Sequence, residues 1–131
     1  MIGLDTNVLV RYIMQDDAKQ AKLATKLIEG LSDASPGFIS LVTILELTRV
    51  LESAFELTRT QIVQMFQNLM AVDVFKIERV AVVASAVRAY AGSKADFADC
   101  LSERSSAQAG CERTMTFDKD AAKSGGMVLI Q

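Results

Sequence analysis

Twice in this chain an apolar, strand-like segment runs directly into a carboxylate: Leu4-Asp5-Thr6 near the start and Thr116-Phe117-Asp118 near the end. A short apolar run followed by a small polar pair such as Thr6 and Asn7 reads as a buried strand whose polar turn opens a helix. In parallel α/β sheets ligands bind just beyond the carboxyl ends of the strands. If both strands are central and parallel, Asp5 and Asp118 lie at the same edge of one sheet. An acid ending an apolar strand needs a partner if it is buried. The rest of the chain must therefore supply parallel crossovers and further acids.

The crossovers are legible. Residues 7–14 read as a short helix, and Asp16 and Asp17 mark the start of the next. There Ala18, Ala21, Ala24, Leu27, Ile28 and Leu31 recur at helical spacing, with Lys19, Lys22 and Lys26 on a solvated face. Residues 37–40 form a short buried strand. Thr43 begins a helix with Ile44, Leu45, Leu47, Leu51 and Phe55 on its apolar face. Thr58 opens another with Ile62, Phe66, Leu69 and Met70 inward. Both Thr43/Glu46 and Thr58/Gln61 have the spacing of a capping box. A strand over 72–77 follows, then a helix over 78–90 stopped by Gly92 and a helix over 95–109 closed by Gly110. Residues 113–117 and 127–130 read as two final strands. Strands alternating with single or paired helices indicate a three-layer α/β fold built on a parallel sheet. At 131 residues with one proline, Pro36, the chain is expected to form a single domain over 1–131.

Composition matters chiefly through what is missing. The chain contains no histidine, which excludes Ser-His-Asp and Cys-His catalysis and the common catalytic zinc sites. A metal would have to be held by carboxylates and water, which favours magnesium or manganese. Cys100 and Cys111 lack metal-ligand spacing and read as buried free thiols. Sixteen acids against fourteen bases give a net charge of −2, so no general basic surface advertises nucleic acid. No apolar run spans a membrane and no basic n-region opens the chain, so the expected compartment is the cytoplasm.

Between the two strand-end acids come Glu46, early in its helix, and the pair Asp96 and Asp99. The pair sits three residues apart, on one face of a helix start. Asp5, Glu46, the Asp96/Asp99 pair and Asp118 can thus converge on one edge of the sheet. Each also has a plainer reading. Glu46 closes a capping box, Asp96 and Asp99 suit the positive end of a helix dipole with Asp96 read as the cap, and Asp118 and Asp120 suit a turn. Converging carboxylates without histidine suit metal-assisted phosphodiester hydrolysis, in which a bound ion activates water.

Taken together and in order, Leu4-Asp5-Thr6-Asn7-Val8-Leu9, Ile44-Leu45-Glu46, Ala95-Asp96-Phe97-Ala98-Asp99-Cys100-Leu101 and Thr116-Phe117-Asp118-Lys119 resemble the PIN-domain ribonucleases of the VapC type. The likeness covers essentially the whole chain. It implies a central parallel sheet of four to five strands flanked by helices, with the first strand central and the fourth beside it. It implies a magnesium or manganese site of Asp5, Glu46 and Asp99, with Asp118 as a more variable fourth acid. Thr6, Asn7 and Thr116 match positions around these acids, Asp96 is the second choice for the role of Asp99, and Arg11, one helical turn beyond Asn7, is expected to reach a phosphate near the mouth. The family further implies an RNA substrate, a small antitoxin partner and a homodimer. After Asp99 the chain departs from the usual Ala-Leu-Ile-Ala: it has Cys100-Leu101-Ser102-Glu103, which makes that helix face more polar. Two alternatives stand beside this reading. A phosphotransferase like the haloacid dehalogenases also begins with a strand-end aspartate, but it expects a second one where this chain has Asn7. A catalytically inactive PIN-like binding module would lack one of the acids.

Overall fold

Three short parallel strands form the first ladder of the computed structural model, which describes all residues from Met1 to Gln131. In β1 (Ile2–Gly3), β2 (Gly37–Ile39) and β3 (Phe75–Ile77), Ile2 pairs with Gly37 and Gly37 with Phe75. The ladder runs on past Gly3, where the Leu4 N–H donates to the Phe38 carbonyl at 2.9 Å. Two helices fill each crossover: α1 (Thr6–Met14) and α2 (Ala18–Glu29) before β2, then α3 (Leu41–Ser53) and α4 (Arg59–Met70) before β3. Residues 1–78 make one unit and residues 79–131 a second. The second unit contains α5 (Val80–Ala91), α6 (Phe97–Gln108), β4 (Met115–Thr116), α7 (Lys119–Ser124) and β5 (Val128–Leu129). There β4 and β5 pair in parallel through the α7 crossover. The class is α/β with parallel strands.

The five strands are hydrogen-bonded as three and two rather than as one continuous sheet. β2, not β1, is the middle strand of the first ladder, and β4 takes β5 as its partner. β1 has two residues, both exposed, so its edge position leaves Ile2 41% exposed and only Leu4 buried. The expectation of a central, buried first strand is corrected accordingly.

Helix ends follow local chemistry. Asp17 caps α2 by accepting from the Gln20 N–H at 2.9 Å. Thr58 and Gln61 form the expected capping box at α4: the Thr58 hydroxyl accepts from Gln61 N–H, and the Gln61 side chain accepts from Thr58 N–H at 2.9 Å. Thr58→Ala is expected to lower stability by about 1 kcal/mol, read as a shifted midpoint in urea unfolding. An unmoved midpoint would mean that Gln61 alone holds the turn. The Thr43/Glu46 box does not form. Ser40 follows β2 immediately and caps α3 by accepting from Thr43 N–H at 3.2 Å, so Thr43 becomes a buried third residue and Glu46 sits a turn further in. Glu78, expected to open α5, instead accepts from the Leu41 N–H at 2.8 Å, the first donor of α3.

The helix α6 ends in a Schellman motif. Gly110 N–H donates to Ala107 and Cys111 N–H to Ser106, which needs the left-handed φ of +100° that Gly110 adopts. That turn carries Cys111 into solvent, whereas Cys100 is buried as expected. Within the second unit Tyr90 and Phe97 are almost fully buried and meet edge to face at 5.6 Å, fastening α6 to α5. Some apolar residues expected inward, Leu27, Leu45 and Val80, are exposed, because the buried stripe of each helix is narrower than its apolar sequence. Lys19, Lys22 and Lys26 are exposed as expected. No helix is long and apolar enough to cross a membrane.

Candidate functional site

The second unit gathers four aspartates around one cleft of about 460 Å³. Asp96, Asp99, Asp118 and Asp120 line it together with Lys94 and Lys123. Asp96 is the N-cap of α6, where its Oδ1 accepts from Ala98 N–H at 3.0 Å. The capping reading of Asp96 is thus realised, and its second carboxylate oxygen makes no cap. Asp118 is the N-cap of α7, accepting through Oδ1 from Asp120 N–H at 2.8 Å and Ala121 N–H at 3.2 Å. Thr116 holds this corner from behind: its Oγ1 accepts from Asp118 N–H at 3.0 Å.

Asp99 differs from its neighbours. It stands in the first turn of α6, half-buried, one residue beyond the N–H that Asp96 caps. Its carboxyl group is pushed above the usual aspartate range, first by burial and then by the negative charges of Asp96 and Asp118. Burial penalises the charged form, and like charges add to that penalty. An acid cluster of this kind favours an arriving cation.

In the first unit, Asp5 occupies the N-cap position of α1. Its carbonyl accepts from Val8 and Leu9 N–H groups, but its side chain caps nothing and is exposed. Thr6 and Asn7 follow it as the first two residues of α1, half-buried and exposed respectively. Glu46 lies on α3, where its Oε2 accepts from Arg49 Nη2 at 2.6 Å. That contact pushes the Arg49 guanidinium upward in pKa through the hydrogen bond and the charge of Glu46. Arg11 is held by Asp16 at 3.0 Å and by the Gln20 side chain at 2.7 Å.

All the donors are carboxylate oxygens, the chemistry of hard divalent cations. Asp5, Asp99, the Oδ2 of Asp118 and the Oε1 of Glu46 make no side-chain hydrogen bond that would oppose ligation. No three acidic or thiol side chains are drawn close enough to enclose a metal ion as they stand.

A family model described as PIN domain matches residues 2–126, a span that includes every acid named above. The chain belongs to the PIN domain family. It is also 22% identical over 122 residues to the VapC ribonuclease of Aquifex aeolicus (strain VF5), covering 93% of this chain and 90% of that protein.

For this PIN domain, sequence reasoning passed over Lys94, Asp120 and Lys123 as cleft residues. Asp120 and Lys123 are three apart on one short helix, a spacing that places them on neighbouring positions. The helix α7 itself went unread between the strands at 113–117 and 127–130, although Asp118 followed by Ala121 and Ala122 is a cap before good helix formers.

Proposed function

We propose that this chain is a VapC-like endoribonuclease, dependent on magnesium or manganese, that hydrolyses RNA phosphodiester bonds. The observation that carries the reading is the Asp99 cleft: a half-buried acid, raised first by its burial and then by two neighbouring aspartates, in a chain of the PIN family. The similarity to a protein named VapC ribonuclease supplies the reaction class. Asp5, Glu46, Asp99 and Asp118 are the residues that would hold the ion. When bound, it supplies an activated water and offsets negative charge on the phosphate. Thr116, through the Asp118 backbone, and the cap bonds to Asp120 and Ala121 orient the Asp118 carboxylate. Lys94 and Lys123 offer positive charge at the rim for the entering phosphate. Hydrolysis breaks one phosphorus–oxygen ester bond of the strand and adds the oxygen of water to phosphorus.

We read residues 1–131 as one functional domain working in the cytoplasm as a toxin, in homodimers restrained by a small antitoxin. The family model running through both units supports the single domain. The test is RNA cleavage by the purified protein in manganese or magnesium, with and without a chelator. Cleavage is expected to disappear on chelation and return with either metal. Cleavage that persists in excess chelator overturns metal dependence, and no cleavage under any condition favours a binding module.

A further inference from the structure

A second cleft lies one helical turn along α6 from the aspartates. It has a volume of about 440 Å³ and is lined by Ser85 and Arg88 of α5, Glu103 and Arg104 of α6, Ser124 at the end of α7 and Gly126 beyond it. Ser124 also lines the aspartate cleft, so the two clefts adjoin at that residue. Asp99 and Glu103 are four apart and share a face of α6, which sets these two positions roughly 6 Å apart along the helix axis. That is the scale of one nucleotide step in an extended strand.

The charges within this second cleft do not cancel. Glu103, only 13% exposed, is engaged by both Nε and Nη2 of its neighbour Arg104, so those two neutralise each other. Arg88 has no ion pair and no side-chain hydrogen bond. Its position in the last turn of α5 suits a cation next to the helix carbonyls, but leaves its planar fork of donors unused. The opposite wall is backbone. Gly126 has a left-handed φ of +74°, and a Cβ there would stand 3.3 Å from Glu103 Oε1. A side chain there would crowd Glu103, so this wall is bare backbone, and Ser85 and Ser124 add hydroxyls to the lining.

We propose that this second cleft is a substrate subsite, in which Arg88 binds the RNA phosphate next to the one cleaved. The identity of the ligand rests on the proposed ribonuclease function; the presence of an anion subsite rests on the cleft and its unmatched guanidinium. The departure from the usual family sequence after Asp99 falls in this place, because Cys100 and Glu103 both line the cleft.

The test measures binding rather than cleavage, so that it stands apart from the catalytic reading. A short fluorescein-labelled single-stranded RNA is titrated by anisotropy into the Asp99→Asn protein across a range of salt in magnesium buffer. Adding Arg88→Ala is expected to weaken binding about tenfold, the loss of one charge-assisted contact. The slope of log affinity against log salt is expected to fall by about 0.7, one phosphate contact on a single strand. Arg88→Lys should restore the slope and only part of the affinity, because it keeps the charge and loses the fork. Arg113→Ala removes an exposed arginine whose only carboxylate neighbour is Glu112 at 4.0 Å, and should leave binding as it was. Binding within twofold of the parent for Arg88→Ala, an equal loss in Arg113→Ala, or no RNA binding by the parent would each overturn the subsite. Cleavage by the wild-type chain is scored separately: bound but uncut RNA counts against the catalytic reading and leaves the subsite standing.

Discussion

Asp99→Asn is expected to cut RNA cleavage at least about 100-fold, which is roughly 3 kcal/mol of lost transition-state stabilisation, and to make the metal-free protein more stable at neutral pH. The two effects have one cause. The folded chain binds a proton at Asp99 more tightly than the unfolded chain does, since burial and the charges of Asp96 and Asp118 raise the carboxyl above its value of 3.8. Where the folded state binds more protons, stability falls as pH rises. The contribution of Asp99 is therefore favourable in acid and is lost as pH climbs from the unfolded value through the raised one. At neutral pH the charged carboxylate is a cost that an asparagine side chain does not carry. A first-turn acid also recovers about 0.3–1 kcal/mol from the helix dipole, which works against burial and like charge and keeps the expected gain small. Melting curves in chelator should show the Asp99→Asn protein above wild type at pH 7 and the gap closing towards pH 3. A variant that melts below wild type at pH 7, or cleaves RNA normally while folded, sinks this account. Asp5→Asn should lose activity to a similar extent with little change in melting.

Phe97→Ala should be the most damaging single change to stability, costing about 3–5 kcal/mol as expected for truncating a buried phenylalanine. Phe97 is 1% exposed and packs edge to face on Tyr90, and that pair fastens α6 to α5. It is also the first residue of α6, flanked by the Asp96 cap and two residues before Asp99. Truncation should therefore loosen the aspartate cleft as well as the core. Urea unfolding at neutral pH reads the first effect, and loss of RNA cleavage before global unfolding reads the second. A cost under about 1 kcal/mol would mean that the site collapses onto the vacated space without penalty.

Much of this architecture is legible in the sequence because it is local. The Thr58/Gln61 box, the Gly92 stop and the apolar spacing of Ile62, Phe66 and Leu69 concern neighbours on one helix, and each is realised. The Ser40 cap was obscured because two hydroxyl residues, Ser40 and Thr43, compete for the same role three positions apart, and only the end of β2 decides between them. The strand lengths could not be read, since apolar runs at 72–77 and 127–130 continue beyond the two or three residues that find a partner. Among the acids, sequence spacing pairs Asp96 with Asp99 and favours Asp96 as the cap, but it does not show how the two carboxylates divide cap and cleft. The backbone settles it, giving the cap to Asp96 and leaving Asp99 free. Arg11 and Arg49 show the reverse case. Their partners Asp16 and Glu46 lie close in sequence, and the pairing with solvent-facing neighbours follows from helical spacing and the short α1–α2 turn.

Four aspartates stand at helix N-cap positions, and three of them, Asp17, Asp96 and Asp118, lend their oxygens to backbone N–H groups. Asp5 alone does not. An aspartate at such a place can add about 0.5–2 kcal/mol to its helix, and this one contributes nothing of the kind. Its side chain is thus uncoupled from folding, so substitutions there are filtered by chemistry and not by the integrity of the molecule. In a library of Asp5 variants selected first for folded protein and then for activity, the first sieve should pass nearly every residue and the second almost none.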